Sequence, residues 1–235
     1  MIDFENLVMC LGAAVAGIPQ SLTLMLWTFA ICLVLGTLIA LCRVFEVPVL
    51  KPVFDVVMAI LKSLPTNLVL LVVYLIITNS FVDLFGALIP GLTIKDLDLN
   101  AVSIAGLTLC MLPVISEDIR SGLLSVNRGQ FEAGYSVGLT GLQTFWAIVF
   151  PQAVRAAIPP LTGSTLSLFK TTALVSIIGN TDIMSSAVNA AGDSYCYLEA
   201  YVAAALVFWI LGYAFERLSI FAERQFGRSV KTLAA

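Results

Sequence analysis

Between Glu5 and Arg43 the chain carries no charged residue, and this uninterrupted stretch restricts the fold more than any other feature. A segment that crosses a bilayer needs about 20 mostly apolar residues, because every backbone amide within the hydrocarbon must find its partner inside the segment. The best crossing in this stretch lies near residues 19–42. Four further runs meet the same requirement. They are about 53–77, with Asp55 and Lys62 near its start; 100–124, with Glu117, Asp118 and Arg120 toward its end; 154–178, which holds Lys170; and 198–215. The sequence therefore predicts an all-α integral membrane protein with five transmembrane helices.

Composition narrows the function classes. Charged residues make up 11% of the chain, against roughly 25% in soluble domains, and a net charge of −3 gives no reason to expect a nucleic-acid partner. Histidine is absent and no G-x-x-x-x-G-K phosphate loop occurs, so the chain has no evident means of hydrolysing ATP and no catalytic residue is assigned. Cys10, Cys32, Cys42, Cys110 and Cys196 show no CxxC spacing, and four of them lie in or beside apolar runs, where a thiol acts as a small hydrophobe. No metal site or cofactor is expected.

Orientation follows from the lysines and arginines near the helix ends. With the amino terminus outside, the inner segments receive Arg43, Lys51, Arg128, Arg155, Arg217, Arg224, Arg228 and Lys231, whereas the outer loops receive only Lys95. Asp83, Asp96, Asp98, Asp182 and Asp193 then fall outside, most simply as solvated loop charge. Residues 1–220 form the membrane domain and 221–235 a cytoplasmic tail.

The loop at about 125–152 carries a second signal. Glu132-Ala133-Gly134-Tyr135-Ser136-Val137-Gly138, followed by Ile148 and Pro151, places small residues and one carboxylate between two spans. Glu132 favours a helix start electrostatically. Ala133 and Gly134 leave the helix surface nearly bare, and Gly138 can adopt positive φ and end the helix. The other reading, one more buried helix, is permitted by the absence of charge from Ala133 to Val154. It is opposed by Gly134, Gly138 and Gly141 and by Ser136, Thr140, Gln143 and Thr144, which make a poor lipid-facing surface.

These residues resemble the EAA motif of ABC importer permeases. Glu132, Ala133, Gly138, Ile148 and Pro151 stand at the motif's offsets, while Gly134 replaces its second Ala and Phe150 its Leu. Glu117, Arg120, Gly122, Val126, Gly129 and Gln130 are similar to the preceding segment of permeases for polar amino acids, with Ser121 in place of a Gly. Pro151-Gln152-Ala153, Arg155, Ala157 and Pro159-Pro160-Leu161 also match that family, Lys170-Thr171-Thr172-Ala173-Leu174 is similar to its Lys-Asp-Thr-Ser-Leu with Thr171 and Ala173 departing, and Lys62-Ser63-Leu64-Pro65 stands where it usually shows Arg-Gly-Thr-Pro. The resemblance spans roughly residues 16–219. It implies a type I ABC importer permease fold in a bacterial cytoplasmic (inner) membrane. It also implies a second permease chain, identical or homologous, two ABC ATPase subunits docked on the coupling helix, and an extracellular or periplasmic solute-binding protein. Methionine, phosphonate and osmolyte importers share the EAA motif. A secondary carrier is opposed by the lack of an internal repeat.

Charged and polar groups deep in the spans mark a candidate substrate pathway: Lys62, Pro65, Glu117, Lys170, Thr171 and Thr172. Lys170 has two readings, a partner for a substrate carboxylate or a lysine paired with Glu117 or Asp118 or snorkelling outward. Glu117 and Arg120, three residues apart, share a helix face and suit a structural ion pair. Asp55 and Lys62 share another face, and Pro65 is expected to bend that helix. Pro159-Pro160 with Gly163 is expected to weaken the start of the fourth span, as a hinge or as ordinary helix-start prolines.

Overall fold

The computed structural model describes residues 3–85 and 97–231, with side chains described for 3–80 and 97–221. Lys95 and Asp96 lie outside the described residues, as do the side chains of Asp83, Arg224, Arg228 and Lys231. Four helical stretches are long and apolar enough to cross a membrane, Phe4–Val44, Leu99–Leu124, Gly141–Ile178 and Tyr197–Phe221, and a bent pair, Leu50–Ser63 with Thr66–Ser80, makes a fifth.

Helix α1 (Phe4–Ala16) runs through Gly17 into α2 (Ile18–Val44). Together they hold 41 residues, about 60 Å of helix at 1.5 Å per residue, roughly twice the hydrocarbon thickness. The crossing expected at 19–42 is α2. Helix α1, which sequence alone did not separate from it, packs on the elements at the far end of the chain. Its start is fastened there, since the Asp3 amide donates to Glu199 Oε1 at 2.9 Å.

The second span is not one helix. α3 (Leu50–Ser63) and α4 (Thr66–Phe85) meet at 107°. Pro65 removes an amide donor and disfavours helical backbone at the preceding residue, and Leu64 is accordingly extended at φ −85°, ψ 140°. The bend expected at Pro65 is therefore a full break.

Helix α5 (Leu99–Leu124) is the centre of the bundle, with α2 along one side, α8 (Phe150–Thr171) along another and α3 and α4 against the rest. Small residues let the backbones approach. A Cβ on Gly36 would lie 3.3 Å from the Ser116 amide nitrogen, and one on Gly122 would lie 2.6 Å from Ala157 Cβ. Leu107 and Ile115 are fully buried in the seams so formed.

After the loop carrying α6 (Gly129–Ser136) and α7 (Gly141–Thr144), a π-helical turn at Phe145–Val149 leads into α8 (Phe150–Thr171) and a 3₁₀ segment, Thr172–Ile178. Pro159 and Pro160 lie inside α8 and not at its start. The helix-start proline is Pro151. Gly179, at φ +80°, ends the segment. α9 (Ile183–Ala190) is capped by the buried Asp182, which accepts from the Met184 and Ser185 amides at 3.0 and 2.7 Å. Burial pushes this carboxyl above its usual range, and those amides pull it back. α10 (Tyr197–Lys231) crosses last, continues without a break through the start of the charged tail, and packs Phe208 and Phe215 on Phe169.

Candidate coupling loop and charged pocket

The local sequence explains the shape of the loop. Asn127 Oδ1 accepts from the Gly129 amide at 2.8 Å and turns the chain into α6, whose first turn carries Glu132. At the other end, Gly138 has φ +82°. Its amide donates to the Tyr135 carbonyl, and the Leu139 amide to the Gly134 carbonyl, each at 3.0 Å. This double bond is a Schellman cap, and it requires the left-handed residue that glycine supplies. Two residues later Thr140 caps α7, trading hydrogen bonds with Gln143 in a capping box. Helix, cap and second helix follow one another with no free linker.

Gly134 is the buried point of α6 and lies against the fully buried Thr144 of α7. A Cβ there would overlap Thr144 Oγ1 and Cγ2 and would lie 2.9 Å from Thr144 Cβ. Close contact between the two small helices thus depends on the residue that departs from the second Ala of the motif. Pro151 has no amide to offer the carbonyl four residues back, and the widened π turn holding Ile148 precedes it. Gln152 binds the pieces together, its Nε2 donating to the Ile148 carbonyl at 2.9 Å and to Gln130 Oε1 of α6 at 3.2 Å. Phe145 packs edge-on against Phe45, at 5.6 Å between ring centres, seating the loop on the end of α2.

Outward, the loop presents Glu132, Ala133, Ser136 and Gly138, all exposed. Val137 and Leu142 are 73% and 71% exposed, an apolar tip where the capped end of α6 meets the capped start of α7. Beside it, Phe131, Tyr135, Leu142 and Trp146 line a groove of about 340 Å³. The nearby α2–α3 turn carries Glu46, whose carboxyl is held below its usual range by Lys51 and, at longer reach, by Arg128.

A second feature lies deeper. Arg43 at the end of α2 donates to Asp55 of α3 at 2.6 Å and to Glu117 of α5 at 3.0 Å, and Glu117 also pairs with Arg120. Arg43, Asp55, Lys62 and Glu117 line one cavity of about 240 Å³ that holds both signs of charge. Of the six candidate pathway residues, Lys62 and Glu117 are brought together here, and Pro65 forms the elbow just beyond Lys62. Lys170, Thr171 and Thr172 stand elsewhere, at the end of α8. Thr171 and Thr172 donate to carbonyls of their own helix, Ser167 and Phe169. Lys170 is exposed and makes no ion pair among the described residues. It pairs with neither Glu117, taken by two arginines, nor Asp118, which accepts from Ser164. Arg43 was missed as a member of the cavity. Its signal was a lone cation ending the longest uncharged stretch, opposite the acidic residues of two later spans.

The family model for the binding-protein-dependent transport system inner membrane component matches residues 32–226. A probable glutamine ABC transporter permease protein, GlnP, of Bacillus subtilis (strain 168) is 33% identical over 84% of this chain and 83% of its own length. The probable amino-acid ABC transporter permease protein PatM of Vibrio harveyi is 27% identical over 97% of both. A solved amino acid ABC transporter with histidines superposes with a TM-score of 0.81 over 96% of this chain and 99% of that one, at 24% identity. The fold is that of type I ABC importer permeases, and the chain belongs to the binding-protein-dependent transport system inner membrane component family, as a multi-pass membrane transport subunit and not an enzyme.

Proposed function

We propose that this chain moves a polar amino acid across a bacterial inner membrane, driven by two ATPase subunits that grip α6. The observation that carries this reading is the doubly capped α6–α7 unit, which holds Glu132, Ala133, Gly138 and the apolar tip of Val137 and Leu142 out from the bundle on a stiff base. An apolar tip on a rigid support suits insertion into a partner's groove. Ile148 and Pro151 form its root. The amino terminus lies outside, so that Arg43, Lys51 and Arg128 share the inner side with the loop. A second permease chain completes the pathway, and a solute-binding protein delivers the substrate at the other face.

The relatives' names support an amino acid, and the cavity at Arg43, Asp55, Lys62 and Glu117 offers groups of both signs to a zwitterion. Closure of the ATPase pair draws the two plugs together, and the bundle rocks between inward- and outward-facing states. Lys170 and Thr171 line the outer part of the route, with the buried Thr172 behind them.

The test is purification through a tag on this chain in mild detergent. A subunit with a Walker A sequence recovered in stoichiometric amount, and lost when Glu132 and Gly138 are both replaced, is expected. The chain recovered alone, under conditions that preserve other complexes, would refute the coupling role.

A further inference from the structure

Two cysteines that the transport reading leaves unused face each other at the end of the bundle opposite the coupling loop. Cys10, on α1, and Cys196, the residue before α10, place their sulfurs 4.0 Å apart, and both are buried. The packing that brings them together is built from small residues. Ala14, Ala187, Ala191, Ala200 and Ala203 are all fully buried where α1, α9 and α10 meet, so the three backbones lie close. The Asp3 to Glu199 hydrogen bond fixes the register of α1 against α10 on one side of the pair. By contrast, Cys32 and Cys110 point at the Thr108 and Thr66 carbonyls.

We propose that Cys10 and Cys196 form a reversible disulfide that staples α1 to the start of α10, made by exchange with a small-molecule or protein disulfide in the compartment facing this end. A disulfide brings its sulfurs to about 2.05 Å, so about 2 Å of approach remains, within reach of side-chain rotation at both residues. Cys196 retains 7% exposure beside the turn at residues 192–195 whereas Cys10 has none, so opening of that turn uncovers Cys196 first and it makes the first attack. Its thiolate takes one sulfur of the external disulfide and releases one donor thiol. The Cys10 thiolate then attacks the Cys196 sulfur, closing the protein disulfide and expelling the second donor thiol. The cysteines lose two protons and two electrons, and the donor leaves as two thiols. The staple joins α1 to the last crossing at that end of the bundle, so its state depends on the redox poise on that side. This placement rests on the amino terminus lying outside.

The experiment uses the purified full-length chain in detergent, incubated with oxidised glutathione, alkylated under denaturing conditions, digested and read by mass spectrometry. The expected result is a linked peptide pair containing Cys10 and Cys196, two hydrogens lighter than the sum of its parts and released by dithiothreitol. The Cys10→Ser variant retains glutathione on Cys196, whereas Cys196→Ser leaves Cys10 unmodified. Complete alkylation of both residues in oxidised wild-type protein, or linkage to Cys32, Cys42 or Cys110 instead, overturns the proposal. Oxidised glutathione added outside intact cells tests the orientation separately. A link that forms in detergent but not on cells keeps the pair and refutes the outward placement of α1.

Discussion

Gly138 permits a test in which backbone strain and steric bulk rank Ala and Asn oppositely. At φ +82° it occupies the left-handed region, and a Cβ added there would meet nothing within 4 Å. Replacement therefore costs conformational energy alone, about 1–2 kcal/mol for Ala and more for a β-branched Val. Asn, larger than Ala but more tolerant of this region, should be the mildest of the three. The strain acts on the cap bonds, so opening of the Leu139 amide from the Gly134 carbonyl becomes easier. At RT of about 0.6 kcal/mol, 1–2 kcal/mol corresponds to roughly 5- to 30-fold faster exchange of that amide in Gly138→Ala. Hydrogen exchange followed by mass spectrometry over residues 134–140 reads it, with transport per ATP hydrolysed as the functional counterpart. The expected order of damage is Asn, Ala, Val. An Asn variant as impaired as Val, or an Ala variant with wild-type exchange, would refute the strain account.

Gly134→Ala should destabilise the α6–α7 contact by about 1–3 kcal/mol through overpacking on Thr144, and adding Thr144→Ala, which removes the two nearest atoms, should recover part of it in a double-mutant cycle on thermal unfolding. Arg43→Gln strips the countercharge from Asp55 and from one side of Glu117. Because those carboxylates are 42% and 35% exposed, the loss expected is about 1–3 kcal/mol, below that of a fully buried pair, read as a lower unfolding midpoint in detergent. Lys62→Gln, at an exposed cavity position without an ion pair among the described residues, should leave that midpoint within about 0.5 kcal/mol while raising KM for uptake; an unchanged KM would remove Lys62 from the substrate route. Gly122→Leu should weaken the α5–α8 seam by several kcal/mol, because Ala157 and the Ala153 carbonyl occupy the space a side chain needs; wild-type stability in that variant would show the seam to be loose.

The crossings were legible because hydropathy over about 20 residues reports a requirement of the backbone itself. Breaks and joins within those crossings were less so. Pro65 announced a bend, but its size depends on what α4 packs against, and that is α5. Pro159 and Pro160 read locally as a helix start, yet α8 continues through them because its flanks are held by α2, α5 and α10 and its true start is set at Pro151. The end of α6 was legible at Gly138, since a Schellman cap is a local device whose residues lie within six positions of one another, whereas the equally local capping box of Thr140 and Gln143 was not read from the sequence. The charged cavity was legible only in pieces. Glu117 with Arg120, three residues apart, could be paired from sequence. Arg43 is 74 residues from Glu117, and no local rule links them.

The contacts also say how movement of the loop would reach that cavity. α6 has no slack at either end, being fixed by its cap and by Thr144, so a push on Glu132 or on the Val137 tip moves the unit as a body. Gln152 ties α6 to the root of α8 through Gln130. About a turn and a half further along α8, Ala157 is seated against Gly122 of α5, where a Cβ on the glycine would lie 2.6 Å from Ala157 Cβ. Five residues before Gly122 on the same helix stands Glu117, held by Arg43 of α2 and Arg120. The links are helices, a close glycine–alanine contact and side-chain hydrogen bonds, and packed interfaces of this kind switch between discrete arrangements in preference to deforming gradually. Among the described residues, two places beside the cavity lie outside any helix, the α2–α3 turn at residues 45–49 and the break at Leu64–Pro65. Both joints flank α3, so displacement delivered through α8 and α5 can be absorbed by a change in the angle of α3 against its neighbours, and that change would carry Asp55 and Lys62 toward or away from Glu117.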